Sequence, residues 1–318
     1  MGKSYDVVAL GELLVDFAAQ GADAAGYPVL AAHPGGAPAN FLAAVARLGG
    51  RTALLSKVGA DAFGVLLTRT LRDAGVDTRG IVMTADAFTT LAFVTLDAHG
   101  ERSFSFARKP GADTQLRFEE LELSLLENTK AFHFGTLSLT DEPARDATQR
   151  AVAYARAHGS LITFDPNLRR PLWKGLEQAR EQMLWGLAQA DVVKLSDEEA
   201  DFLFGLAPRE SAVHILAHFG VRLVFVTCGV DGCCFANRCA QGKVDALHGL
   251  HVADTTGAGD IFGGCAVWKL LGSGKAPEEL NADELREITA FACRVAGHST
   301  EKSGGISALA EMPETDFV

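Results

Sequence analysis

The chain has 318 residues, 48% of them hydrophobic, and a net charge of −11 from 29 Lys and Arg against 40 Asp and Glu. That acidity excludes a nucleic-acid binder, whose phosphate contacts need a surplus of cations, but allows an anionic small ligand wherever a few cations and backbone amides converge. No apolar run reaches membrane-span length, and no secretory signal is visible at the start, so a cytoplasmic protein is expected.

A short apolar strand is expected at residues 5–10. Residues 21–36, rich in Gly, Ala and Pro, read as irregular or edge structure. Phe41, Leu42, Val45 and Leu48 recur at helical spacing, so residues 40–48 predict a helix, stopped by Gly49 and Gly50. A strand at 54–58 and a helix at 63–74 follow, the helix ended by Gly75. Then the pattern changes. A strand starting at Leu91, a turn at 97–100 and a polar–aromatic alternation at 102–106 read as a hairpin. The hairpin breaks the helix–strand rhythm and is expected in a small sheet of its own. Beyond Asp113, strands at 131–134, 161–164, 191–195 and 223–227 alternate with helices, notably 142–158 and 176–189. Two more helices are expected at 261–271 and 282–298. This alternation predicts an α/β fold: a doubly wound, mostly parallel sheet with helices on both faces, formed by residues 1–318 as one domain. Insertions near 12–33 and 88–113 would add a small β-sheet lid. Such sheets bind ligands at the carboxyl ends of their strands.

Four of the six cysteines, Cys228, Cys233, Cys234 and Cys239, lie within twelve residues. Their C-x4-C-C-x4-C spacing lacks the C-x2-C pairs of structural zinc sites. On a strand pair most of them read as small buried hydrophobes of a reduced protein.

The strongest local signal is Asp254-Thr-Thr-Gly257-Ala258-Gly259-Asp260, three small residues before an acid and a helical run. Glycines let backbone approach a ligand, and the first amides of a helix are unpaired and carry the positive end of its dipole. Together they form an anion site suited to a transferring phosphate. Asp260 is negative where that phosphate must come, so its natural task is to accept a proton from an incoming hydroxyl. The alternative is that it caps the helix. Gly272-Ser-Gly-Lys275 is no phosphate loop, because Ala276 follows the lysine and the upstream glycine spacing is wrong. A dinucleotide fingerprint is missing after the first strand, where Gly11 has no second glycine, and this disfavours a dehydrogenase.

Taken with Pro34-Gly-Gly-Ala-Pro-Ala-Asn40, the 254–260 segment resembles the two signatures of the ribokinase-like (PfkB) carbohydrate kinases, over residues 5 to 310. Gly11-Glu-Leu-Leu-Val-Asp16, Arg108-Lys-Pro-Gly-Ala-Asp113, Phe164-Asp-Pro-Asn-Leu-Arg-Arg-Pro-Leu-Trp173 and Lys194-Leu-Ser-Asp-Glu-Glu199 are similar to the fructokinase branch in particular. The resemblance implies Asp260 as catalytic base, with the amides of Gly257, Ala258 and Gly259 as its anion hole. It implies sugar contacts from Asp16, Gly35, Gly36 and Asn40, where Asn40 could instead be a helix cap. Phe104 and Phe106 would cover the sugar from the lid, or simply pack there. Arg108 and Arg169 are the cations implied for the phosphates, or else members of surface ion pairs. Lys194, Thr227, Gly229, Gly232, Gly257 and Gly259 would hold the nucleotide. Glu199 would hold Mg²⁺ through water; on bare sequence it reads as a solvated helix face. Asp254 and Thr256 would hold a monovalent cation, K⁺, with carbonyls from residues 302–305. The chain departs from the family's pattern at Ser196, Cys293, Ser303 and Gly305.

The implied reaction is transfer of the γ-phosphoryl of ATP to the 6-hydroxyl of D-fructose, with Mg²⁺ and by a homodimer joined through the lid. Other sugars on the same machinery are 2-keto-3-deoxygluconate, ribose or an aminoimidazole riboside. A non-catalytic sugar or nucleotide sensor is the rival of another class, disfavoured by the intact Gly257–Asp260 run.

Overall fold

The computed structural model describes residues 2–96 and 102–317, leaving aside the side chains of 95–96 and 102–104. In chain order it contains β1 (Tyr5–Leu10), β2 (Leu14–Ala22), β3 (Pro28–Gly35), α1 (Ala37–Arg47), β4 (Thr52–Gly59), α2 (Ala62–Asp73), β5 (Val76–Asp77), β6 (Ile81–Thr84), β7 (Leu91–Leu96) and β8 (Arg102–Ala107). There follow α3 (Leu123–Glu127), β9 (Thr129–Gly135), α4 (Ala144–Ala157), β10 (Leu161–Asp165), α5 (Leu176–Gln189), β11 (Val192–Ser196), α6 (Asp197–Phe204), α7 (Pro208–Phe219) and β12 (Leu223–Thr227). The chain ends through β13 (Cys233–Asn237), β14 (Gln241–Val244), α8 (Ala258–Ser273), α9 (Ala282–Ser299) and α10 (Ile306–Glu311).

Ten strands form the main sheet in the order β14-β13-β12-β11-β10-β9-β1-β4-β5, with β6 also on β4. Its strands are parallel from β5 to β12, and the β13–β14 hairpin adds an antiparallel edge. Side chains of a strand alternate between faces, and helices cover both faces here, so the strands are apolar almost throughout. In β1, Val7 and Ala9 join one core with Leu42, Ile261 and Leu285, while Val8 and Leu10 join the other with Leu125, Val152 and Met183. Within the second core Phe134 meets Phe164 at 4.8 Å and Trp185 at 5.8 Å between ring centroids. Each such buried ring contributes about 2–3 kcal/mol. This cluster gives the end of β10, and therefore Asp165, a rigid seat.

A separate four-stranded sheet has the order β3-β2-β7-β8. The expected hairpin lies in it as β7 and β8, outside the central sheet; the turn expected at 97–100 falls outside the described residues. The stretch expected to be irregular or edge is only partly so. β3 is an edge strand, but the chain before it already runs as β2 inside the sheet. The glycines there mark the turn: Gly21 and Gly26 have φ of 102° and 86°, and Asp23 Oδ1 accepts from Ala25 N and Tyr27 N. The helix expected at 40–48 starts at Ala37, with Pro38 in its first turn, where the missing N–H costs nothing. Among the described residues no helix is long and apolar enough to cross a membrane.

Candidate active site

The carboxyl ends of β10 and β11 reach the start of α8, and the predicted chemistry gathers there. Gly257 caps α8 with φ 78°, a left-handed conformation that favours glycine. A Cβ on it would lie 2.9 Å from Gly305 Cα and 3.0 Å from Asn40 Nδ2, so backbone and Asn40 close around the turn. The first helical bond is Ile261 N to the Gly257 carbonyl (2.9 Å), which leaves the preceding amides outside the helix's own ladder, although Ala258 N donates to the Thr255 carbonyl at 3.3 Å. A Cβ on Gly259 would lie 2.8 Å from Lys194 Nζ, so this ammonium sits directly against the turn. Amides, helix dipole and lysine together make a strong anion site.

Lys194 rises from β11 and pairs with Asp165 Oδ2 at 2.9 Å. Burial opposes its charge, but Asp165, Glu199 and Asp260 outweigh burial and hold its pKa above the ordinary lysine value. Burial in turn raises the pKa of all three carboxylates, which share this ammonium. His133 lies beneath, its ring stacked on Phe41 at 3.9 Å and its Nδ1 3.0 Å from Thr163 Oγ1. Burial first, and then Lys194, push its pKa to about 3, so it is a neutral floor and no proton shuttle.

Asp260 is 8% exposed in the first turn of α8. Asn40 Nδ2 donates to its Oδ2 at 2.9 Å, and Asn167 Nδ2 to its Oδ1 at 3.2 Å. The cap alternative fails, because Gly257 holds the cap position and the Asp260 carboxylate faces the cleft instead. Burial raises its pKa against the pull of Lys194, the Asn40 bond and Arg169, as suits a base. Asn40 is no cap either: it lies inside α1, and its Oδ1 is buried without a partner. Such an orphan acceptor can receive a ligand hydroxyl. Asp16, on β2, borders the same space: burial raises its pKa to about 7, Arg169 opposes this, and Asp260 and Asp254 add to it. A Cβ on Gly35 would overlap the Asp16 carboxylate, and one on Gly36 (φ 117°) the Glu12 carbonyl. Gly36 must therefore be glycine, and any larger residue in place of Gly35 would displace the Asp16 carboxylate.

Glu199 is buried, not a solvated helix face. It stands in the first turn of α6, where Oε2 accepts from Ser196 N (2.8 Å) and Oε1 from Leu168 N (2.6 Å). Each oxygen keeps capacity for a metal-bound water. Asp254 accepts from Thr256 N and Oγ1 through Oδ1, at 2.9 and 2.7 Å, and from Gly304 N through Oδ2, at 2.9 Å. That ties the stretch before the anion turn to residues 302–305. Thr227 ends β12 beside Ser196, and the following turn closes with Cys228 N on the Gly232 carbonyl, through Gly229 (φ 52°) and Gly232 (φ 87°).

Comparison with known proteins gives the family. The description "pfkB family carbohydrate kinase" matches residues 5–312. The chain belongs to the pfkB carbohydrate kinases. It is 42% identical to fructokinase-2 of Solanum habrochaites, over 97% of this chain and 94% of that one. The fructokinase of Xylella fastidiosa with bound ATP superposes with TM-score 0.87 and 34% identity, covering 96% of each chain. A fructokinase of Vibrio cholerae O395 in a fructose-, ADP- and calcium-bound form gives TM-score 0.83 and 32% identity, again covering 96% of each.

Within this pfkB kinase, Arg108 needs correction. It was expected at the phosphates, but it is 5% exposed and bound inward. Nε and Nη2 donate to Asp113 Oδ2 (2.8 and 2.6 Å), Nη1 to Thr140 Oγ1 (2.9 Å) and Nη2 to the Leu137 carbonyl (2.8 Å). The reason is that β8 ends there and a buried Asp113 lies five residues on. Arg169 is different: it follows β10, is half-buried, and its charge acts on Asp16, Asp165 and Asp260. Phe106 is half-buried on the small sheet, in one lateral row with Ala92 and Asp16 and so on the same face as Asp16. The Phe104 side chain lies outside the described residues. Gly305 departs from the family's usual Ala, and a Cβ there would overlap the Asn40 amide. All six cysteines are free; Cys233, Cys234 and Cys265 are buried, Cys228 and Cys293 half-buried, and Cys239 exposed. Among the described residues no group of three or more metal-ligating side chains is found.

Sequence reasoning missed Glu12, His133, Asp165 and Asn167. The last two lie inside the 164–173 stretch that carries the family resemblance, and that was their available signal.

Proposed function

We propose that this kinase transfers the γ-phosphoryl of ATP to the 6-hydroxyl of D-fructose. The observation that carries the reading is Asp260: a buried carboxylate of raised pKa at the mouth of an anion turn, held by two asparagine amides. Asp260 takes the hydroxyl proton and orients the oxygen for in-line attack. The amides of Gly257, Ala258 and Gly259, with Lys194 and Arg169, stabilise charge on the transferring group, since phosphoryl transfer is mainly positioning and electrostatics. Asp16, Gly35, Gly36 and the orphan Asn40 oxygen receive the sugar, with Phe106 above it. The turn of Thr227, Gly229 and Gly232 takes the nucleotide. Glu199 is suited to hold Mg²⁺ through water, and that ion neutralises phosphate charge. Asp254 and Thr256, tied to Gly304, are suited to hold K⁺.

The four-stranded sheet, built from residues near 12–33 and 88–113, acts as a lid that excludes water, the competing acceptor. Its edge strand β3 and the turn before it expose Tyr27, Val29 and Leu30, a surface fit for a homodimer joined through the lid. The free thiols and the ATP substrate fit a cytoplasmic enzyme. The test is ADP release across fructose, ribose and 2-keto-3-deoxygluconate, with Asp260→Asn as control. Fructose should have the highest kcat/KM, and the variant should lose about 10²- to 10⁴-fold in kcat. A higher kcat/KM for ribose would refute the substrate, and near-native kcat in the variant would refute the base.

A further inference from the structure

Asn167 is the one non-glycine residue of positive φ among the described residues, at 45°. Asparagine visits that region more readily than most residues, yet the strain persists only where neighbours fix it. Here they do so on every side. Asp165 Oδ1 accepts from Asn167 N at 3.1 Å. Thr136 donates to the Pro166 carbonyl through both N (3.3 Å) and Oγ1. Glu199 Oε1 accepts from Leu168 N at 2.6 Å. The strained turn places one amide: Asn167 Nδ2 lies 3.2 Å from Asp260 Oδ1, while Asn40 Nδ2 lies 2.9 Å from Oδ2. One oxygen of the base is held from the end of β10 and the other from α1. A carboxylate held at both oxygens cannot turn about its Cβ–Cγ bond, and each oxygen keeps a lone pair for an incoming hydroxyl. The same Asp165 holds Lys194 through its other oxygen, so one turn registers the base against the anion site.

We propose that Asn167 is a positioning residue, whose amide fixes the plane of the Asp260 carboxylate toward the reacting hydroxyl. The inference rests on Asp260 being the base. As a donor to the ionised carboxylate, Asn167 also favours the form that can accept a proton. Losing the donor raises the pKa of the base, so the acid limb of kcat moves to higher pH.

Two variants test this. Asn167→Gly keeps the positive φ and removes the amide. Asn167→Asp keeps the shape and sets a second carboxylate against the base. kcat, KM for sugar and ATP, the pH profile and Tm are measured for both, beside Asp260→Asn. Asn167→Gly should lower kcat about 10- to 100-fold, with KM for ATP and Tm near native. The acid limb should rise in both variants, further in Asn167→Asp. An unmoved acid limb overturns the proposal, whether kcat is native or falls together with Tm as a packing defect would make it. Near-native kcat in Asp260→Asn refutes the base and the proposal with it. Loss of activity in Asp260→Asn beside an unchanged Asn167→Gly refutes the positioning role alone.

Discussion

Arg108→Met keeps most of the buried stem and removes the guanidinium. Asp113, 6% exposed, then loses its cation and keeps only the Thr90 hydroxyl, while the Leu137 carbonyl keeps the Thr140 hydroxyl. Removing one partner of a buried ion pair costs about 3–5 kcal/mol, mostly for the charge left behind. Unfolding entropy is about 2.1 cal/mol/K per residue, so over this chain that cost becomes a Tm drop of about 4–7 °C. Melting curves, with KM for ATP measured well below the transition, decide the matter. A Tm within 1 °C of native (an outcome far below the ~5 °C expected) together with a raised KM for ATP would refute the reasoning and return Arg108 to the phosphates.

Gly259→Ala would set a methyl 2.8 Å from Lys194 Nζ, forcing the ammonium off the anion turn. Single-turnover assays should show kcat reduced about 10- to 100-fold with Tm near native; unchanged kcat would mean that Lys194 has no part in the transfer. Asp254→Ala removes the carboxylate that ties Thr256 to Gly304. Rates in K⁺ and in a large organic cation should differ for the parent enzyme and coincide for the variant, and no difference in the parent would reject the cation site.

The alternation of apolar strands with helices was enough to read the central sheet, because burial on both faces leaves a continuous apolar signal in each parallel strand. The hairpin at 91–106 stood out because its period is two. The stretch near 12–33 was assigned to the small sheet, but the bounds of β2 and β3 were hidden: Ala18, Ala19, Ala31 and Ala32 carry no hydrophobic alternation, and the register there is set by a glycine turn rather than by a buried face. In the site, Gly257–Asp260 was legible because a turn without Cβ atoms leaves its mark in composition. Asn40 and Glu199 were readable only through family likeness, since an Asn near a helix start serves equally as a cap and a Glu in an acidic first turn as a solvated face. Arg108 was misread for a related reason. A sequence shows a guanidinium beside a site but not the buried Asp113 five residues away that claims it. Asn167 owes its place to a backbone conformation, and a composition with no glycine at that position gives no warning of it.

Glu12 offers the clearest linkage between charge and the small sheet. It precedes β2, is 3% exposed, and accepts from Ala37 N at 2.8 Å, at the start of α1. That amide and Arg108 favour its ionised form, yet burial dominates and pushes its pKa to about 7 from an ordinary 4.5. The folded state therefore binds this proton more tightly than the unfolded one. Its contribution to stability is complete below about 4.5, declines as pH rises toward 7, and is gone above that. The shift of about 2.5 units corresponds to about 3 kcal/mol. Glu12→Gln keeps an acceptor for Ala37 N and removes the titration. Relative to the parent, the variant should gain up to about 3 kcal/mol between pH 4.5 and pH 8. Asp16, whose pKa is raised in the same way, titrates in both proteins and cancels from the difference. Urea unfolding of parent and variant at pH 5, 6, 7 and 8 measures it, and parallel stability curves would show that Glu12 is ionised at no cost. Residue 12 enters β2, Ala37 follows β3, and Arg108 follows β8, so the groups that share this proton stand where the small sheet joins the main one. If the curves diverge as expected, the sheet is rooted on a carboxyl that is half-protonated near neutral pH.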